Sequence, residues 1–256
     1  MKLQPNDAFV WTQEPWGDGL RCVAIDTPHV FSTRSLELRD PARQQSGWET
    51  LASALDVLPP DLVRPKQVHG SAVVVVGEND QEKASSTICG EADIIVSQQP
   101  DTAVAVQTAD CVPILLFDPR TGAAGAAHSG WKGTAADVAG KAVAAMVRSF
   151  NSRPADLIAA IGPSIGPCCY QVGEDLLQVF GAAGRRWFFR FGPELRLNLW
   201  AANRDQLAEA GLDPANIHVA ELCTAMEPAL FHSYRRDREA AGRLASAIRT
   251  RTFSTT

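Results

Sequence analysis

Between residues 72 and 127 lie five short apolar runs, at 72–76, 93–97, 102–107, 112–117 and 122–127, rich in Val and Ile and punctuated by Gly, Pro and Asp. Runs of this length and composition read as β-strands, and a chain with so many of them in succession must build a sheet and cover it. Helical patterns surround them. Ser46-Gly47-Trp48-Glu49 has the form of a capping box, and Trp48, Leu51 and Leu55 share one helical face, which predicts a helix from there to about Asp56, stopped by Pro59-Pro60. Further helices are predicted from Thr134–Asp137 to Phe150, over 173–180, and over 197–210 with Gly211 closing the last; strands are predicted over 156–162 and 217–221. Interleaved strands and helices argue for an α+β fold of mixed sheets layered with helices, and against an all-β barrel. No internal repeat and no Ser/Gly/Pro linker divides the 256 residues, so one domain over 1–256 is expected.

Composition excludes several function classes. With 24 Lys/Arg against 29 Asp/Glu and a net charge of −5, no basic cluster longer than a doublet is present, so nucleic-acid binding is not expected. The run 112–117 is about a third of the roughly 20 apolar residues that a membrane helix needs, and the N-terminus lacks the apolar core of a signal peptide. A cytoplasmic protein with no membrane partner is therefore expected.

The residues with chemical potential are few. Cys111 stands in Thr-Ala-Asp-Cys-Val-Pro, between two strand-like runs and next to a carboxylate. His128 ends a strand in Ala-His-Ser-Gly-Trp-Lys-Gly-Thr, and His69 stands in Lys-Gln-Val-His-Gly just before the Val-rich run. A Cys-His₂ set with an open fourth position is the usual arrangement of catalytic zinc. The same residues admit two other readings: a Cys111 nucleophile with a histidine base, and the equatorial ligands of a blue-copper site. A four-copper oxidase would need about ten histidines, and the chain has 5. Ser129, Gly130, Gly133 and Thr134 form a turn into a helix expected to begin at Thr134, a candidate seat for phosphate. Asp110 is a candidate proton-transfer group and Lys132 a candidate anion-binding group. Arg34 and the Arg235-Arg236-Asp237 run could hold an anionic substrate group. The Gly/Pro turn at 161–170 either rims a pocket or is simply rigid. Its vicinal Cys168-Cys169 lacks the C-x-x-C spacing of a redox pair, and the zinc deaminase signature is missing. His29, His218 and His232 read as structural.

The succession Phe-Ser-Thr-Arg, Gln-Val-His-Gly, Glu-Ala-Asp, Thr-Ala-Asp-Cys-Val-Pro, Ala-His-Ser-Gly-Trp-Lys-Gly-Thr, Ile-Gly-Pro-Ser-Ile-Gly, Asn-Leu-Trp-Ala-Ala-Asn and Tyr-Arg-Arg-Asp resembles the bacterial YfiH family, over about 30–243. That family is also called the peptidoglycan editing factor family, and in older usage multicopper polyphenol oxidase or laccase-like. The resemblance implies a single α+β domain and zinc held by His69, Cys111 and His128. It also implies phosphorolysis of adenosine, inosine and methylthioadenosine with deamination of adenosine, so that the partners are a purine nucleoside and phosphate. The alternatives it leaves open are a copper-dependent polyphenol oxidase with Cu²⁺ and a phenol as substrate, a Cys-His hydrolase, and a peptidoglycan-precursor editing factor. One segment departs from the family: where members carry Gly-Gly-Val-Ser after the Phe-Ser-Thr-Arg, this chain reads Ser35-Leu-Glu-Leu-Arg-Asp-Pro41, beside Arg34.

Overall fold

The computed structural model describes residues 3–77 and 88–252. In chain order, β1 (Phe9–Glu14), β2 (Gly17–Cys22) and β3 (His29–Ser32) precede α1 (Pro41–Ala54). Then come β4 (Leu62–Lys66), β5 (Val73–Val76), β6 (Ile88–Glu91), β7 (Ile94–Ser97), β8 (Ala103–Thr108), β9 (Val112–Phe117) and β10 (Ala124–Ser129). The rest is α2 (Trp131–Ala135), α3 (Val138–Phe150), β11 (Ile158–Ile161), α4 (Asp175–Gly184), β12 (Phe188–Phe191), β13 (Glu194–Leu197), α5 (Leu199–Glu209), β14 (Ile217–Val219), α6 (Tyr234–Asp237) and β15 (Leu244–Arg249). The five apolar runs are β5, β7, β8, β9 and β10, each within two residues of its expected ends.

Two mixed sheets organise the fold, a seven-stranded one in the order β1-β2-β3-β15-β8-β4-β6 and a six-stranded one in the order β14-β11-β9-β10-β7-β5; β12 and β13 form a separate hairpin. Side-chain alternation decides how they stack. On β8, Ala103 and Ala105 pack under α1 with Trp48, Leu51 and Leu55, whereas Val104 and Val106 point the other way, towards Leu115 and Phe117 of β9. The opposite face of β9, Val112, Ile114 and Leu116, packs with Val143 and Met146 of α3 and Leu207 of α5. The result is four layers: helix, sheet, sheet, helix. Every residue of β9 and β10 is buried, so β9, and β10 up to His128, read as unbroken apolar runs rather than alternating ones. Each large side chain so buried contributes about 1.5–3 kcal/mol.

Two helix starts differ from the sequence reading. α1 begins five residues before the capping-box serine, because Asp40 accepts a hydrogen bond from the Ala42 N–H at 3.0 Å and Pro41 occupies the first turn, where its missing N–H costs nothing. Ser46 lies inside the helix, its hydroxyl donating to the Arg43 carbonyl at 2.7 Å. Likewise the helix expected from Thr134 is two helices. α2 starts at Trp131, and Asp137, left-handed at φ 58°, separates it from α3 and caps the latter.

The topology also positions the site. In the seven-stranded sheet β4 runs parallel to both β6 and β8, so all three end on the same side. After each of these ends the chain crosses to the six-stranded sheet, from β4 to β5, from β6 to β7 and from β8 to β9. The crossings at 67–72, 92–93 and 109–111 converge beside the end of β10.

Candidate metal centre

Each crossing delivers one side chain of the candidate site, and β10 delivers another. His69 comes from the first, Asp93 from the second, Cys111 from the third, and His128 is the penultimate residue of β10. The ligand atoms of His69, Cys111 and His128 all lie within 4.8 Å of one another. The two imidazoles meet edge to face, with centroids 4.8 Å apart and planes at 89°. The three residues singled out from the sequence therefore share one site, although 42 and 17 positions separate them in the chain.

Asp93, fully buried, organises the group. Its Oδ1 accepts the Nδ1–H of His128 at 2.8 Å and the backbone N–H of His69 at 3.0 Å. Its Oδ2 accepts the backbone N–H of Gly70 at 2.6 Å and, more weakly, that of Val68 at 3.4 Å. These bonds hold His69 in a left-handed conformation, φ 58°. A carboxylate only accepts, so the proton sits on Nδ1 of His128, and Nε2 is the ring atom left to bind a metal, the arrangement of a carboxylate–histidine–metal relay. No role for Asp93 followed from the residues alone; its signal was its place in the Glu-Ala-Asp motif.

Cys111 is set by its neighbour. Asp110 has φ 88°, unusual for a residue with a side chain. It is held there because its Oδ1 accepts the Thr224 hydroxyl and its Oδ2 the Arg235 backbone N–H, both at 2.6 Å. On the other side Gly130 closes in: a Cβ there would stand 2.9 Å from Cys111 Sγ, so only glycine leaves the sulfur its room.

The charges are coupled. Burial alone would push the Cys111 thiol up, but the positive charge and hydrogen bond of His128, with those of His69, outweigh it and bring it to about 6. Burial would push His128 down, yet the Cys111 thiolate and the Asp93 carboxylate raise it to about 9. Burial also works against the charge of Asp93, and the hydrogen bonds from His128, Gly70 and His69 keep its pKa below the ordinary carboxylate value all the same. A thiolate, two imidazoles and an anionic relay partner are a donor set that suits a borderline-soft dication.

Cys111, His69 and Asp110 line two adjoining cavities, of about 670 Å³ and about 360 Å³. The larger has Arg64, Arg235, Arg238 and Arg243 in its wall, and among the described residues none of these makes an ion pair; Lys66, also in the wall, is paired with Glu91 at 2.8 Å. The smaller includes Gly130, Trp131, Lys132 and Tyr170. The Gly/Pro turn thus does rim a pocket, through Ile165 and Tyr170, and Arg235 lies over the Tyr170 ring at 5.1 Å. Arg64, Arg238 and Arg243 were missed because single arginines scattered over the sequence carry no pattern.

Other candidates lie elsewhere. Ser129 and Thr134 are fully buried and their hydroxyls bond each other at 3.0 Å, with Asn203 donating to Thr134 at 3.2 Å. With Gly133, also buried, they tie α2 to the core and line neither cavity. Arg34 is exposed, its guanidinium on the Pro228 carbonyl, and does not line the cavities. Arg236 is spent on Asp237 and the carbonyls of Thr224 and Phe231. His29 is structural: its Nδ1–H donates to the Thr27 carbonyl at 2.7 Å and its Nε2 accepts the Cys22 N–H at 2.9 Å. No helix among the described residues is long and apolar enough to cross a membrane.

Known proteins share this architecture. A Deinococcus radiodurans protein named purine nucleoside phosphorylase is 36% identical over 244 residues, covering 90% of this chain and 91% of that one. A protein named adenosine deaminase, from an unknown prokaryotic organism, is 34% identical over 204 residues, with 73% and 74% covered. The crystal structure of YlmD from Geobacillus stearothermophilus superposes with a TM-score of 0.83 at 30% identity, covering 95% of this chain and 99% of that one. Residues 35–251 match the family profile described as multi-copper polyphenol oxidoreductase laccase, and with these relatives the match establishes that the chain belongs to that family, the YfiH family.

Proposed function

We propose that the protein is a zinc-dependent purine nucleoside phosphorylase that also deaminates adenosine. The observation that carries this reading is a Cys-His₂ group, its histidine oriented by a buried carboxylate, opening on a cavity of about 670 Å³ whose wall holds four arginines that form no ion pair among the described residues. His69, Cys111 and His128 would hold the ion, which when bound supplies a Lewis acid able to activate water near neutral pH. The thiolate and the relay through Asp93 reduce the net charge of the ion and fix its ligands.

The guanidinium groups of Arg64, Arg235, Arg238 and Arg243 suit a phosphate dianion, with Lys132 an additional cation beside the smaller cavity. In phosphorolysis a phosphate oxygen bonds to C1′ of the ribose, the glycosidic bond breaks, and its electron pair leaves with the purine, which takes up a proton. Tyr170 and Trp131 offer apolar faces for the base or sugar. Deamination replaces the exocyclic amine by oxygen from water and releases ammonia, so the two activities require the purine to sit in two ways. Asp110 has both oxygens engaged, so its contribution is to position Cys111 and Arg235.

The names of relatives support the phosphorylase and deaminase chemistry. The copper oxidase reading fares worse on two counts: among the described residues no methionine lines either cavity to serve as an axial ligand, and the 5 histidines are too few for a four-copper cluster. The test is to incubate metal-replete protein with inosine or adenosine, with and without phosphate, and to separate the products by chromatography. Phosphate-dependent release of free base and ribose-1-phosphate is expected. Their absence, with metal bound, would overturn the phosphorylase reading.

A further inference from the structure

Three thiols outside the proposed active centre come together. Cys168 and Cys169 follow the Gly/Pro turn after β11, and Cys223 follows β14; their sulfurs all lie within 4.8 Å of one another. Cys168 Sγ and Cys169 Sγ are 3.6 Å apart. We infer that these three cysteines form a second, all-sulfur metal site for a thiophilic d¹⁰ cation, Cu(I) or Zn(II).

The spacing suits one ion. With metal–sulfur bonds of about 2.3 Å, three sulfurs around a common centre stand about 3.8–4.0 Å apart, so small rotations of the exposed Cys168 side chain close the set. The donors are soft and include no imidazole or carboxylate, which selects Cu(I) or Zn(II) over harder ions. Among the described residues no fourth ligand joins the cluster. Three-coordinate Cu(I) needs none, while Zn(II) would take a water on the open side at Cys168.

Surrounding groups are placed for a negatively charged sulfur cluster. The Gly166 backbone N–H donates to Cys223 Sγ at 3.2 Å, and the Arg196 guanidinium, ion-paired with Glu194 at 2.7 Å, is also anchored on the Cys168 carbonyl at 2.5 Å. The turn that makes this approach needs Gly166, where a Cβ would stand 2.7 Å from the Trp200 ring and 3.2 Å from Cys168 Sγ. Binding replaces three S–H bonds by three metal–sulfur bonds and releases three protons, with no change of oxidation state.

The site is wired into the active centre. Ser164 and Cys223 form a β-bridge, the Ile165 N–H donates to the Asp110 carbonyl at 2.8 Å, and Thr224 holds the Asp110 side chain.

The test uses full-length Cys111→Ala protein, which disables the first site, titrated under reducing conditions with Cu(I) or Zn(II) against a chromophoric chelator. One retained equivalent is expected, with a thiolate-to-copper charge-transfer band in the Cu(I) arm. X-ray absorption distinguishes the two ions: three sulfurs for Cu(I), three sulfurs and one oxygen for Zn(II). Adding Cys168→Ser, at an exposed position, should weaken binding by more than the 10–100-fold of an outer-shell change and reduce the band in proportion to the sulfur lost. Failure of the Cys111→Ala protein to retain either ion overturns the inference. So does equal binding by the Cys168→Ser protein, or binding that survives Cys223→Ser in a protein whose melting temperature is unchanged.

Discussion

Replacing Asp93 by asparagine keeps the shape of the side chain and exchanges one acceptor oxygen for a donor. Either orientation fails. If the amide nitrogen takes the place of Oδ1, it faces the Nδ1–H of His128 and the N–H of His69; if it takes the place of Oδ2, it faces the N–H groups of Gly70 and Val68. Two donors lose their partner in each case, and hydrogen bonds to a charged group are worth about 1.5–3 kcal/mol apiece. A loss of at least about 3 kcal/mol is expected, a fall in melting temperature of roughly 6–12 °C for a chain of this size. The relay to His128 weakens as well, which predicts zinc binding 10–100-fold weaker, or about 1.4–2.7 kcal/mol. Calorimetry on metal-free protein measures the first quantity, and competition with a chromophoric zinc chelator the second. Unchanged zinc affinity in a variant that is clearly destabilised would refute the positioning role. An unchanged melting temperature would refute the hydrogen-bond reasoning altogether.

Other consequences can be checked in parallel. Cys111→Ala should remove bound zinc from the active centre, measured by elemental analysis, and abolish nucleoside turnover; full activity in the metal-free variant would contradict the proposal. Arg235→Gln or Arg243→Gln should raise the KM for phosphate more than that for nucleoside, and equal effects on both would speak against an anion site in that wall. Thr134→Val breaks two buried hydrogen bonds, to Ser129 and Asn203, and should cost about 1–3 kcal/mol in urea denaturation while leaving the KM for phosphate unchanged; a selective rise in that KM would place phosphate at α2 after all. His29 links stability to pH. Burial lowers it from 6.5 to about 4, so the unfolded chain takes up the proton first, and the stability present above about pH 6.5 is lost as pH falls towards 4, about 3 kcal/mol in all. Denaturation midpoints at about pH 7 and about pH 5 should therefore converge for His29→Gln relative to the parent; an identical pH dependence of the two proteins would show that another group is responsible.

The local instructions for much of the fold are legible in the sequence. Strands β7, β8, β9 and β10 announce themselves because they are buried on both faces or nearly so, and such strands need mostly apolar residues; β5, only partly buried, is legible from its four successive valines. Strand β2, Gly-Asp-Gly-Leu-Arg-Cys, and strand β4, with Arg64 and Pro65 in it, carry no such run. They are strands because partners pair with them, an interaction a linear pattern does not contain. The start of α1 was misplaced for a related reason: two residues could cap it, and the choice fell to Asp40.

The chemistry divides in the same way. Residue type singled out His69, Cys111 and His128 as candidates and left nucleophile and blue-copper readings open; the resemblance to the YfiH family implied their role as zinc ligands. Tertiary structure alone decided that they meet, because three parallel strands end together and three crossings between sheets bring their residues to one point. It also withdrew Ser129 and Thr134 into the core, set Arg34 apart, and assembled a basic wall from arginines that are far apart in the chain. Sequence names the groups that can do chemistry; distance, burial and the partner already taken determine which of them are free to do it.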